Sequence, residues 1–185
     1  MDNGARVRGA AFKTDAKYII NKFGSTALLK VERELSRLGY PLRYNKLKDS
    51  MWYDASLRLL SFDVMKKVLK MTPKDFEEMG YSAPSNSLII RVLLRFLTTL
   101  RGAFGKSNYV WHKYYSKGDL ISTKCDLTNR KIILKLSGFK VSSLFISYLQ
   151  GFLARLFNFM KPHKKVTVDS KKEGEDYIFT IRWKQ

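Results

Sequence analysis

At 185 residues, 45% of them hydrophobic and 14% aromatic, the chain is long and apolar enough to bury a sizeable core, which excludes global disorder. Its 35 Lys and Arg against 16 Asp and Glu give a formal net charge of +19, a balance that attracts nucleic acid or another polyanionic partner. The single Cys125 excludes an internal disulfide and a zinc site of paired cysteines, and suits a reducing, cytoplasmic setting.

The opening MDNGARVRGAAFKTD lacks the continuous apolar run of a signal peptide. Val7 to Phe12 reads as a short edge strand or arm, and Thr14 as the N-cap of a helix to Phe23, stopped by Gly24. Ser25 or Thr26 caps the next helix, to Leu38, with Leu28, Val31, Leu35 and Leu38 on one face. Tyr40–Ser50 is a linker with turn residues at both ends. A third helix fits Tyr53–Met71, its stripe being Leu57, Leu60, Val64 and Val68. Thr72-Pro73-Lys74-Asp75 starts a short helix that Gly80 ends. Ser85–Arg101 is apolar around most of its circumference and is expected to be central. Arg91 and Arg95 share one of its edges at i, i+4 and are the candidate anion site. The same arginines, with Arg101, interrupt the stretch nearest to a spanning helix of ~18 apolar residues.

Ser107 caps a short helix through Tyr115, and from Asp119 the texture changes to strands. Leu120–Asp126 and Lys131–Ser137 flank a hairpin turn in which Asn129 suits a positive φ. Ser142 or Ser143 caps a long helix to Met160. Val166–Ser170 and Tyr177–Trp183 flank a second hairpin, KKEGED. The expected architecture is one α+β domain over 1–185: a mainly helical half, 1–117, packed on a small antiparallel sheet from a ββαββ half, 118–185.

Catalytic and metal chemistry find no frame. His112 and His163 are the only histidines, Cys125 is far from both, and no phosphate loop occurs. The remaining constellation is aromatic: Trp111, Tyr114 and Tyr115 beside the short helix, and Phe139, Phe145, Tyr148 and Phe152 around the late one. Trp111 with Tyr115, and Tyr148 with Phe152, stand at i, i+4. Two such faces meeting over a hairpin make either core or an apolar cavity with hydroxyl handles.

Residues spread along the chain resemble an uncharacterised family typified by myxobacterial proteins of this length. They are Val7-Arg8-Gly9, Trp52-Tyr53, Trp111 with Tyr114-Tyr115 and Gly118, Gly138-Phe139, Tyr148, Gly151, and Phe179, Ile181 and Trp183. That family is similar to the superfamily of 4-vinyl-reductase-type, haem–nitric-oxide-binding and Golgi transport-tether domains. The resemblance implies a ligand cavity between helices and sheet, a sensory or regulatory role and often a dimer; with the aromatic cluster and the missing catalytic frame, the expectation is a non-enzymatic domain that binds a small apolar or anionic ligand as a homodimer.

The chain departs from its relatives. Where they carry cysteines it has Phe145, Ile146 and Ser147 on the late helix, and Ser170 and Tyr177 near the last hairpin. The haem branch's Tyr-x-Ser-x-Arg residue types occur in Tyr53-Asp54-Ala55-Ser56-Leu57-Arg58 at a different spacing, and His112 is the only histidine on an expected helix. The expectation is therefore a domain without cofactor, neither haem nor zinc.

Overall fold

In the computed structural model the described residues are 4–86, 99–161 and 165–184. They form seven α-helices and two antiparallel sheets. Strand β1 (Arg6–Arg8) pairs with β2 (Trp52–Asp54), and each runs straight into a helix: α1 (Gly9–Phe23) and α3 (Ala55–Leu69). Between them lie α2 (Ser25–Arg37) and a 3-10 turn at Tyr44–Lys46. Then follow α4 (Pro73–Asn86), α5 (Leu100–Gly105) and α6 (Ser107–Tyr114). Helix α7 (Ser143–Met160) separates the hairpin β3 (Asp119–Asp126)–β4 (Lys131–Ser137) from the hairpin β5 (Val166–Glu173)–β6 (Asp176–Trp183), and the four-stranded sheet runs β3-β4-β6-β5.

The two central strands of this sheet alternate buried and outward residues. Ile132, Leu134 and Leu136 of β4 and Phe179 and Ile181 of β6 are buried, while the alternate residues Lys131, Lys135 and Arg182 face outward along the pleat. The sheet's edges are irregular. The β3–β4 register shifts between Ser122 and Lys124, and Gln150 of α7 donates to the Val168 carbonyl of β5 at 2.9 Å. Arg130, not Asn129, takes the positive φ (51°) in the first hairpin. Asn129 instead turns its amide N–H and side-chain amide onto the Asp126 carboxylate, at 2.9 Å each.

Thr14 does not start α1. The helix begins at Gly9, and the Thr14 hydroxyl donates within it to the Ala11 carbonyl at 2.8 Å. A capping box does open α4. The Thr72 hydroxyl accepts from the Asp75 N–H, and the Asp75 carboxylate accepts from the Thr72 N–H at 2.7 Å. Gly80 does not end that helix, which continues to Asn86. It is a crossing point: a Cβ there would lie 1.8 Å from the Tyr148 carbonyl oxygen of α7. Gly151 of α7 is its counterpart, with Glu77 O at the same 1.8 Å. The two glycines let the α4 and α7 backbones touch, which fixes where Tyr148 and Phe152 stand.

Of the expected helix Ser85–Arg101, residues 87–98 lie outside the described residues, Arg91 and Arg95 among them. Thr99 caps α5, its hydroxyl accepting from Gly102 N at 3.0 Å. No helix among the described residues is long and apolar enough to cross a membrane.

Candidate functional site

A cavity of about 70 Å³ lies where α1, α3, α4, α5, α6 and α7 converge beside the start of β3. Three alanines on three helices, Ala11, Ala83 and Ala103, leave the space. The rest of its wall is mainly large and apolar: Phe104, Val110, Trp111, Phe152, Leu153 and Met160. Cysteine and histidine are absent from its described lining.

Five of the seven expected aromatic residues line it: Trp111, Tyr114, Tyr115, Tyr148 and Phe152. Phe139 and Phe145 stand behind that wall. The Trp111 and Tyr115 rings stack at 4.3 Å, and Phe139 meets both edge-on at 5.2 and 5.1 Å. Phe145 then links Tyr115 (5.8 Å) to Tyr148 (5.9 Å), and Tyr148 stacks on Phe152 at 6.4 Å. Such ring pairs contribute about 0.5–1.5 kcal/mol each beyond the area they bury. The Trp111 indole N–H donates to the Lys117 carbonyl at 3.0 Å. Tyr115, one residue past α6, is held by strand β1: its backbone bridges Val7, and Ser116 N–H donates to Arg6 O at 3.0 Å.

One wall residue carries charge, and the sequence reading did not assign it to the site. Arg58 of α3 is only 1% exposed. Its Nε and Nη2 donate to the two oxygens of Asp15 at 2.7 and 2.9 Å, and its Nη1 donates to the Tyr115 hydroxyl. The guanidinium also lies 4.7 Å from the Tyr148 ring centre and 5.2 Å from that of Phe62. Burial raises the Asp15 carboxyl above its ordinary range, with Arg58 pulling the other way. Burial is the largest influence and works against the charge on Arg58, but Asp15 together with the Tyr115 and Tyr148 oxygens outweighs it, and the guanidinium holds its proton more firmly than usual. Burial also pushes the Tyr115 and Tyr148 phenols up, against the pull of Arg58. At neutral pH the site therefore contains a neutralised ion pair and two protonated phenols. It offers hydrogen bonds and aromatic faces, with neither a general base nor a nucleophile among its described residues.

Ser107 stands apart from the other hydroxyls. Thr14 and Tyr115 have partners, but the buried Ser107 hydroxyl has none among the described residues. An unpaired buried hydroxyl costs about 1–3 kcal/mol.

No protein-family model and no curated protein matches the sequence. The fold does have solved counterparts, haem–nitric-oxide-binding (H-NOX) domains among them. An H-NOX protein from S. oneidensis in the Fe(II)NO ligation state matches with a TM-score of 0.73 at 10% identity, over 96% of this chain and 99% of that one. An Fe(II) unliganded H-NOX point mutant from K. algicida matches with a TM-score of 0.68 at 13% identity, over 96% and 97%. An oxygen-binding H-NOX domain related to soluble guanylate cyclases, in its oxygen complex, matches with a TM-score of 0.65 at 12% identity, over 96% and 95%. At such identities the likeness establishes a shared fold, that of the H-NOX domains. This is the haem–nitric-oxide-binding part of the expected resemblance. The myxobacterial-type and 4-vinyl-reductase parts gain no support from it.

The expectation of a domain without cofactor is corrected by this fold. Its solved counterparts include H-NOX proteins in named iron ligation states. Departures from a short motif were too local a basis for excluding a group that the whole fold accommodates elsewhere. The described side chains do not by themselves seat a porphyrin. The cavity holds a few water-sized molecules, and His112 lies on the surface, its Nε2 bonded to Asp119 at 3.0 Å. His163, like Arg91 and Arg95, is outside the described residues.

Proposed function

We propose that residues 1–185 act as a single sensory domain that binds a small ligand in the cavity between Arg58, Ser107, Trp111, Tyr115, Tyr148 and Phe152. The observation that carries this is the cavity itself, lined by aromatic side chains and by a guanidinium paired with Asp15. The H-NOX fold supports a sensing role, because its solved counterparts include nitric-oxide and oxygen complexes. That the site's described residues include neither a general base nor an activated nucleophile supports binding without turnover.

The test is native mass spectrometry of the gently purified chain, followed by thermal melts with a panel of small molecules that includes hemin. A ligand at a hundred times its Kd adds about 2.7 kcal/mol, which at about 2–4 °C per kcal/mol raises Tm by about 5–11 °C. Absence of any retained molecule, together with a Tm that no panel member moves, rejects the reading. A Soret band after hemin addition would assign the site to porphyrin. The same spectra report whether two copies associate.

A further inference from the structure

We infer that the cavity selects a small uncharged molecule with an apolar body and one hydrogen-bonding group, which Ser107 seats; this rests on the reading of the cavity as the ligand site. Size sets the first limit. An apolar cavity of about 150 Å³ holds benzene, and this one is about 70 Å³, so the occupant has only a few heavy atoms. Short alcohols, ketones and amides have that size.

Charge sets the second limit. Arg58 is the only charged side chain among the described lining residues. It already spends three of its five N–H groups on Asp15 and Tyr115. An anion beside it would also approach the buried Asp15 carboxylate, and a cation would meet the guanidinium with no free acid to balance it. The wall therefore rejects both signs.

Ser107 sets the third. The buried side-chain groups without a hydrogen-bond partner among the described residues are those of Tyr44, Ser107 and Asn158, and of these only Ser107 lines the cavity. Its hydroxyl turns about a single bond and both donates and accepts, so it can meet an alcohol, a carbonyl or an amide. A ligand that pairs with it relieves a cost the empty site bears. The surrounding Ala83, Ala103, Leu149 and Leu153 take the apolar body.

The experiment follows the Trp111 indole N–H and neighbouring amides by NMR while the full chain is titrated with 2-propanol, acetone, acetate and xenon. The two neutral polar probes should saturate at millimolar or somewhat lower concentration, since a ligand of about four heavy atoms does not reach a Kd much below ~10⁻⁵ M. Acetate, close to acetone in shape, should not bind. Ser107→Ala should weaken 2-propanol about tenfold or less while leaving xenon unchanged. Ala103→Leu, which fills the space, should abolish all binding. Acetate binding as well as acetone, or 2-propanol indifferent to Ser107→Ala, overturns the inference. Xenon binding without 2-propanol overturns it too but leaves the cavity as a ligand site. If nothing binds, xenon included, the underlying reading fails with it.

Discussion

Replacing Gly151 with alanine sets two opposed effects against each other, and the geometry decides between them. In an ordinary helix interior Gly→Ala stabilises by about 1 kcal/mol, because glycine loses more backbone freedom on folding. In α7 the new methyl would lie 1.8 Å from Glu77 O, 2.7 Å from Glu77 C and 2.8 Å from Tyr81 N. These are backbone atoms of a packed helix, which cannot swing aside as a side-chain tip can. Ordinary contact begins at 3.4 Å, so the α4 and α7 backbones must shift where they cross. Overpacking of this kind costs about 1–3 kcal/mol and sometimes more. A gap of even 0.5–1 Å also forfeits about a quarter to a half of each dispersion contact along the seam. The steric terms win, and the expected net loss is about 2 kcal/mol or more. At about 2–4 °C per kcal/mol this lowers Tm by at least about 4–8 °C. Gly105→Ala is the control: Gly105 ends α5, nothing lies within 4 Å of its would-be Cβ, and its Tm should hold or rise slightly. The assay is a calorimetric melt of the three proteins. If Gly151→Ala melts at or above the parent, as the control should, the close crossing is refuted, and with it the account of how Tyr148 and Phe152 are placed.

Two further outcomes follow from the charged groups. Arg58→Met leaves Asp15 buried without a partner and should cost about 3–5 kcal/mol in chemical denaturation. Adding Asp15→Leu should recover much of that, and a double variant no better than the single one would contradict the pairing. Burial raises the Asp75 carboxyl, but hydrogen bonds from Lys22 and Thr72 outweigh it and hold it at about 2, against an ordinary 3.8. Because the folded value lies below the unfolded one, its contribution is fully present above pH 3.8 and is lost as pH falls through 2. A carboxyl NMR titration should show that low midpoint, and Lys22→Met should move it toward 3.8; an unmoved midpoint would remove Lys22 as the cause.

Much of this was legible locally. The caps at Thr72 and Ser142 reflect residue-to-residue geometry, and they stand where the sequence puts them. The i, i+4 aromatic pairs of the site were visible for the same reason. What escaped depends on distant partners. The expected stripe of α3 was Leu57, Leu60, Val64 and Val68, yet Ala55, Arg58, Ser61, Phe62 and Met65 are buried with Val64. Counting hydrophobic residues turned the helix the wrong way, because Arg58 and Ser61 read as polar. Arg58 is buried only because Asp15 and Tyr115 meet it from elsewhere in the chain. The one local hint was an arginine four residues before Phe62 among apolar neighbours. Gly80 misled for a related reason: a glycine chosen for a close crossing looks, in sequence, like a helix stop.

The irregular edges of the four-stranded sheet bear on how copies of this chain avoid one another. β3 and β5 are both outermost, and an outermost strand invites pairing from a neighbouring molecule. The register shift between Ser122 and Lys124 breaks the even ladder that a foreign strand would need on one side. On the other, the Val168 carbonyl is already taken by Gln150, and Lys171, Lys172 and Glu173 make the strand's far end charged. The sheet thus carries its own protection against growing into fibrils, and keeps its apolar strands for the interior.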